Sequence, residues 1–368
     1  MITRMKRWHK LTLCLLAVLF LLACELETLY LETYVETNRE ALDTPAGSDT
    51  SPVTFTVDPG QSVDTIAGNL KAHHLISDTE LFRRYVQYKK LDAGIQAGTY
   101  QLSEAMTIPE IAQALQTARA PEQQVTIPEG KRLEEVAEIV AGQIDIPPEE
   151  FLQMARTGWR GTTLVQEHGF LAQIPLTATL EGYLFPDTYR LPLDASATDL
   201  IDRMLADFAG QVTPEIEAGF AQHGLTLHEG ITLASIVERE AVVDAERPII
   251  AGVYHNRVRD GWFLSACPTV QYALGYQDDA ASWWKRFLLF DDLEIASPYN
   301  TYRNLGLPPA PIASPGLSAI QAAAQPAETE FFFFMVDCSK EDGSHLFATN
   351  ETEHLANFNR CGGVITSP

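Results

Sequence analysis

From Val53 the chain takes on a regular pattern of apolar and polar positions. "VTFTVDPG" alternates with period two, as a half-buried strand does. In "SVDTIAGNLKAHHLI" the apolar residues fall three and four apart behind Ser62, a residue suited to cap a helix. "TELFRRYVQYKK" repeats the helical spacing, and "AGTYQLSEAMTIPEIAQALQ" gives a strand, a turn and a helix. Together these predict a small α/β module over residues 53–120. "QVTIPEGKRLEEVAEIVAGQ" echoes its opening with a strand, a Pro-x-Gly turn and an amphipathic helix, and begins a connecting α/β segment over 121–174. Residues 175–368 read as one mixed α/β block, because their motifs follow one another without a linker. Within it "FFFFMVD" predicts a buried strand, and "GSHLFATNETEHLANFNR" a hairpin return leading into a closing helix. The fold class expected is α+β.

The segment before the module carries no such pattern. Residues 36–52 are polar and rich in Thr, Ser, Pro and Gly, so 25–52 is expected to be a tether. The first 24 residues are different again: Arg4, Lys6, Arg7 and Lys10 precede an apolar run from Leu11 to Ala23. A run of about 13 residues is shorter than the roughly 20 that a spanning helix needs and suits a signal-peptide core. Its ending, Leu21-Leu22-Ala23-Cys24, resembles a bacterial lipobox, in which Cys24 would be lipidated. The alternative is an uncleaved anchor extended by Leu26, Leu29, Tyr30 and Leu31, against which Glu25 and Glu27 count as costly in lipid. Either way the basic flank predicts a cell-membrane attachment with the bulk of the chain on the extracytoplasmic side.

Composition removes some classes of function. With 49 acidic and 26 basic residues the formal charge is −23, which repels a phosphate backbone, so no nucleic acid partner is expected. Beyond Cys14 and Cys24, three cysteines remain, Cys267, Cys338 and Cys361. An odd number gives no complete disulfide framework, although an oxidising compartment permits a Cys338–Cys361 bridge. There is no Cys-x-x-Cys and no His-Glu-x-x-His, since the match begun by His228-Glu229 ends on Thr232. No metal and no cofactor is expected.

The candidate chemistry lies in "EGITLASIVEREAVVDAER", which holds two glutamates two positions apart. At about 100° per residue, Glu238 falls among Ile231, Ala234, Ala241, Val242 and Ala245, on the apolar arc. Glu240 falls beside Asp244 and Arg247 near the polar boundary, where a partly solvated ion-pairing role suffices. A carboxyl group held among apolar neighbours keeps its proton near neutral pH, the state a general acid needs. A buried glutamate paired to an arginine such as Arg257 or Arg303 would be the structural alternative. Elsewhere "LEGYLFPDTYRL", "AGVYHNRV", "PTVQYALG" and "SPYNTYRNLGLPPAPIASPGL" are dense in Tyr, Asn, Thr and Pro, residue types that line sugar-binding grooves or hold rigid loops. Trp283 and Trp284 fit core packing or contact with glycan or membrane.

These stretches, in this order, resemble the endolytic murein transglycosylase family, also called YceG-like. The matching pieces are Leu-Glu-Gly-Tyr-Leu-Phe-Pro-Asp-Thr-Tyr, Ala-Ser-Ile-Val-Glu-Arg-Glu, Gly-Val-Tyr-His-Asn-Arg, Pro-Thr-Val-Gln-Tyr, Ser-Pro-Tyr-Asn-Thr-Tyr and Gly-Leu-Pro-Pro-x-Pro-Ile-Ala-x-Pro-Gly. The resemblance implies a membrane anchor, a LysM-like module and a catalytic domain. It also implies cleavage of nascent peptidoglycan glycan strands between N-acetylmuramic acid and N-acetylglucosamine, with formation of a 1,6-anhydro end. Its catalytic glutamate corresponds to Glu238. Tyr299, Asn300, Tyr302 and Asn304 are the candidates for orienting the sugars, with Glu181, Asn256 and Glu240 behind them. Expected partners are glycan strands, the membrane through the N-terminus, and peptidoglycan synthases as neighbours. The chain departs from the family's pattern at Cys267, where Asp is common before Pro-Thr-Val, and at Ala310 and Ser314. Cys267 keeps open a non-catalytic peptidoglycan-binding lipoprotein of the same fold; a solute-binding lipoprotein rests on the lipobox alone.

Overall fold

A computed structural model describes residues 26–117 and 122–362. Cys24 and the apolar run before it lie outside the described residues. Among those described, no helix is long and apolar enough to cross a membrane. The chain divides into two compact units between Glu122 and Gln123.

In the first unit, β1 (Val53–Val57) pairs antiparallel with β2 (Gly98–Leu102), placing Phe55 opposite Tyr100 and Val53 opposite Leu102. Alternation sends Phe55 and Val57 inward, against α1 (Val63–Ala72), α2 (Thr79–Lys89) and α3 (Ile108–Ala114). Each helix starts on the side chain the chain supplies for it. Ser62 accepts from the Thr65 N–H (3.2 Å), Asp78 accepts from Glu80 and Leu81, and Thr107 forms a reciprocal capping box with Glu110. The expected tether 25–52 needs correction. Residues 26–37 are helical, Leu31, Val35 and Leu42 are buried, and Glu27 accepts a hydrogen bond from Gln87 of α2 (2.8 Å). Three apolar side chains spaced along a polar sequence were enough to fasten it to the module.

The second unit takes in the expected connecting segment, whose side chains share one core with the block that follows. Strand β3 (Glu122–Thr126) pairs with β4 (Thr188–Pro192), and α4 (Leu133–Gln143) and α5 (Pro148–Arg156) intervene. Then come α6 (Ala197–Gln211), α7 (Pro214–Gln222), α8 (Leu227–Glu240), α9 (Arg247–Arg259), α10 (Cys267–Leu274) and α11 (Leu317–Ala324). A final hairpin, β5 (Phe333–Val336) with β6 (His345–Ala348), and α12 (Glu351–Arg360) close the unit. The predicted hairpin return and closing helix are present, but β5 is half-buried throughout, because a two-stranded ribbon leaves one face uncovered. A Cys338–Cys361 disulfide ties the end of this hairpin strand to the end of α12.

Helix α8 sits at the centre, with every residue from Gly230 to Val237 buried. Neighbouring helices can close on it because small residues stand at the crossings. A Cβ on Gly230 would lie 2.4 Å from the Phe220 ring of α7, and one on Gly219 2.7 Å from the Ala324 carbonyl of α11. Gly230→Ala is therefore expected to destabilise the fold by about 1–3 kcal/mol through overpacking. Gly210→Ala, at an exposed α6 position where an added Cβ meets nothing within 4 Å, should stabilise by up to about 1 kcal/mol through helix propensity. Denaturant unfolding of both variants checks the pair; equal effects would show that packing at α8 does not limit stability.

Candidate functional site

The end of α8 brings charge to the edge of the core. The Glu238 side chain is 7% exposed, and its Oε2 lies 3.2 Å from Arg247 Nη1 at the start of α9. The same oxygen accepts the Gly316 N–H (3.1 Å), the first backbone donor before α11. The expected apolar surrounding is thus replaced by a guanidinium and an amide. Arg247, rather than Arg257 or Arg303, is the partner, since Arg257 bonds the carbonyls of Phe332 and Leu264 and Arg303 pairs with Glu294. Arg247 is itself nearly buried and reaches Asp244 through Nε (3.1 Å), while its Nη1 finds no well-directed hydrogen bond.

Two loops frame this carboxylate. The Gly130 N–H donates to the Ser314 carbonyl and the Ser314 N–H to the Lys131 carbonyl, both at 2.8 Å, so the Pro-Glu-Gly turn 128–130 and the Ser-Pro-Gly turn 314–316 are tied back to back. Gly130 has φ +72°, which favours glycine, and a Cβ there would come within 3.6 Å of Glu238 Cγ. Arg239 donates to the Gly130 carbonyl (3.3 Å) with its guanidinium 3.9 Å from the Trp284 ring centre. The turns bring in Glu129, which the sequence reading missed along with Arg247. A proline- and glycine-containing turn at each place, Pro128-Glu129-Gly130 and Ser314-Pro315-Gly316, is the available signal.

Glu240 differs from expectation in its partner. It accepts from Tyr254 Oη (2.8 Å), and burial raises its pKa, opposed by that hydrogen bond and by His345, Arg257 and Arg239. Glu240 is half-buried, as a partly solvated residue would be, but its hydrogen-bond partner is a tyrosine hydroxyl from α9 instead of the expected ion-pair partner. Cys267 is a free cysteine, exposed as a residue, but its Sγ lies 3.2 Å from Tyr302 Oη. The protein around the thiol, and then the Glu240 charge, push its pKa up to about 11. A neutral group therefore stands where the family commonly has an aspartate.

The remaining candidates serve mainly to hold loops. Asn300 is fully buried and its amide donates to the carbonyls of Leu293 (2.8 Å) and Ile295 (3.0 Å). Asn304 donates to Ser297 and Asn300, and Asn256 to Thr329 and Phe331. With both amide hydrogens spent on backbone, these three could meet a sugar only as acceptors, through Oδ1. Tyr299 packs on Tyr272, their ring centres 4.9 Å apart. Trp283 and Trp284 donate to Glu138 and Glu135, with Arg132 and Arg239 over their faces. His345 is held by Glu246 (2.7 Å). Among the described residues, Glu167, His168 and Asp202 offer ligand atoms within 4.8 Å of one another, and the 2.7 Å His168–Asp202 hydrogen bond accounts for the grouping.

Glu181 leaves the substrate-binding set. It is 1% exposed; Oε2 accepts from the Leu133 N–H and from Tyr272 Oη, and Oε1 is buried with no partner. Burial pushes its pKa up to about 8.

What the fold and site define is a mixed α/β protein that delivers one enclosed carboxylate, on the end of a buried helix, to a junction of two glycine turns. The YceG-like family matches residues 55–360, and the chain belongs to that family. It is 33% identical over 313 residues to the endolytic murein transglycosylase of Bacillus subtilis (strain 168), covering 82% of each chain. It is 30% identical over 327 residues to that of Streptococcus pneumoniae serotype 2, where the match spans 83% of this chain and 57% of the relative. A crystal structure of a yceG-like protein from Listeria monocytogenes superposes with a TM-score of 0.57 at 29% identity, covering 84% of this chain and 99% of the other.

The raised Glu181 pKa predicts a pH effect on stability. The folded state keeps the Glu181 proton up to about 8, while the unfolded chain releases it near 4.5. Stability from this group is full below 4.5 and is lost as pH rises to about 8, at up to about 1.4 kcal/mol per pH unit. Glu181→Gln should flatten that slope in denaturant unfolding across this window. An unchanged slope would mean that Glu181 is ionised in the folded protein.

Proposed function

We propose that this chain is a membrane-attached endolytic transglycosylase of peptidoglycan. It cleaves nascent glycan strands between N-acetylmuramic acid and N-acetylglucosamine and closes the muramyl end as a 1,6-anhydro ring. The observation that carries this reading is the placement of Glu238: one enclosed carboxyl group, fixed by the Gly316 N–H and Arg247 at a junction of two rigid turns. Support also comes from the names of the relatives in Bacillus and Streptococcus, which are endolytic murein transglycosylases.

A single carboxyl group suffices for this reaction. Protonated Glu238 gives its proton to the glycosidic oxygen as the bond to muramyl C1 breaks, and the sugar's acetamido group assists in place of a second carboxylate. The carboxylate left behind takes the proton of the muramyl 6-hydroxyl as that oxygen bonds to C1. Glu238 is regenerated with its proton, and no water or other reactant is consumed. Arg247 and the Gly316 N–H stabilise the anionic half of the cycle, because charge-assisted hydrogen bonds favour the ionised carboxylate. Tyr302, beside the Cys267 thiol, and Tyr299 are the remaining ring candidates for the sugar.

The rest of the chain serves delivery to the wall. Residues 53–120 act as a LysM-like module on glycan, and the N-terminal segment, through lipidated Cys24 or as an anchor, keeps the enzyme at the membrane beside peptidoglycan synthases. The Cys338–Cys361 disulfide fits an extracytoplasmic, oxidising location. The neutral thiol at Cys267 favours the alternative, a peptidoglycan-binding protein without activity.

The full chain in detergent, incubated with glycan strands, is expected to yield anhydromuramyl ends by mass spectrometry. Glu238→Gln should lower their rate of formation by at least about a hundredfold while binding to glycan persists. Equal product from both proteins would rule out the acid–base role of Glu238, and no product from either would favour the binding protein.

A further inference from the structure

Glu129 takes no part in the chemistry above. It stands in the Pro-x-Gly turn after β3, is exposed, and makes no hydrogen bond or ion pair among the described residues. Its carboxyl group is nevertheless held in place. A Cβ on Gly316 would lie 2.0 Å from its Oε1 and 2.5 Å from its Oε2, so the carboxyl group rests directly on Gly316. The N–H of that glycine is the one that donates to Glu238 Oε2. Two carboxyl groups therefore meet at one backbone unit, Glu238 engaged through its Oε2 and Glu129 with neither oxygen hydrogen-bonded among the described residues.

The charges around them do not balance. Arg247 is the near cation and is already divided between Asp244 through Nε and Glu238 through Nη1. On α8, Arg239 spends its guanidinium on the Gly130 carbonyl and the Trp284 face. On the turn itself, Lys131 pairs with Glu135 (2.8 Å). Helix α11, which begins at this point, offers no titratable side chain at all. Glu129, Glu238 and Asp244 thus face one shared guanidinium, and Glu129 is the carboxylate left without a cation.

We propose that Glu129, its carboxyl group seated on the same Gly316 that donates to Glu238, is a positioning residue for the reaction: the two carboxyl groups share a proton, which lets Glu238 act as the acid in spite of Arg247. The proposal rests on the acid–base reading of Glu238. The two groups sense each other, since burial first and then the like charge of Glu238 raise the pKa of Glu129, with Arg247 opposing. Groups coupled in this way titrate as a pair, and removing either charge moves the titration of the other. The coupling also helps the return step. Once Glu238 has given its proton to the leaving oxygen, both carboxylates are anionic, and their repulsion strengthens the one that takes the 6-hydroxyl proton.

The test is the pH dependence of anhydromuramyl formation by the full chain, comparing wild type, Glu129→Gln, Glu129→Asp and Glu238→Gln. Loss of the Glu129 charge weakens the hold of Glu238 on its proton. The alkaline limb of the Glu129→Gln profile should therefore move to lower pH by about one unit, while Glu129→Asp keeps the wild-type limb. A Glu129→Gln limb that coincides with wild type, at whatever overall rate, overturns the proposal. So does a Glu129→Asp limb that moves as far as that of Glu129→Gln. Where Glu129→Gln is too slow to profile, NMR titration of the Glu238 carboxyl carbon in glutamate-labelled protein reads the same quantity, and its midpoint must fall. Glu238→Gln separates the two readings. If it is inactive while the Glu129→Gln limb stays in place, only the pairing is wrong; if it is fully active, the acid–base role fails and the pairing with it.

Discussion

The constraint on which the second unit depends is the termination of a helix that is buried on every side. From Gly230 to Val237 α8 meets only protein, so its last turn must satisfy its own carbonyls and the side chains of Glu238, Arg239 and Glu240 without much water. The negative end of the helix dipole makes this a poor place for two glutamates. Each is answered separately: Glu238 by Arg247 and the Gly316 N–H, Glu240 by Tyr254. The supports come from α9, from the start of α11 and from the Pro-x-Gly turn that precedes α4, which explains why these segments converge there. Breaking the Glu238–Arg247 contact from either side would leave an uncompensated charge in a nearly closed site, a larger loss than the pair contributes when intact.

Much of the fold was legible because its signals are local. Ser62, Asp78 and Thr107 cap helices within three residues of themselves, and the alternation at Val53–Val57 reports one covered face. The position of Glu238 on the core side also followed from spacing. The partner of Glu240 was misread for a definite reason. A helical wheel reports how wet a position is but not which side chain faces it, and at this half-buried boundary the neighbour is the Tyr254 hydroxyl, not a cation. The Asn-rich stretches are a similar case. Asn256, Asn300 and Asn304 suit a sugar site by type, but irregular loops around the site leave backbone carbonyls that need donors, and these amides supply them.

Arg247 and Glu129 could not be found by periodicity at all. Glu129 reaches Glu238 only because Gly130 and Lys131 exchange backbone hydrogen bonds with Ser314, a pairing between segments far apart in the chain. Arg247 reaches it because α9 starts directly after a short turn from α8. Each segment was noticed as a motif; their meeting is a property of the packed structure.

The two sides of the α8 terminus differ in how they manage charge, and this bears on the substitution at Cys267. Burial raises the Glu240 pKa, and the neighbouring Cys267 thiol and Tyr302 hydroxyl are held in their neutral forms. Cys267 and Tyr302 therefore add no negative charge of their own on that side. An aspartate at 267 would bring a second carboxyl group towards Glu240 and set up there the same like-charge coupling that Glu129 and Glu238 have around Gly316. With cysteine in its place, the coupled carboxyl groups are confined to the Glu129 side. The departure from the family's pattern thus removes a possible charge partner for Glu240 without touching a contact of Glu238, whose partners Arg247 and Gly316 come from other elements.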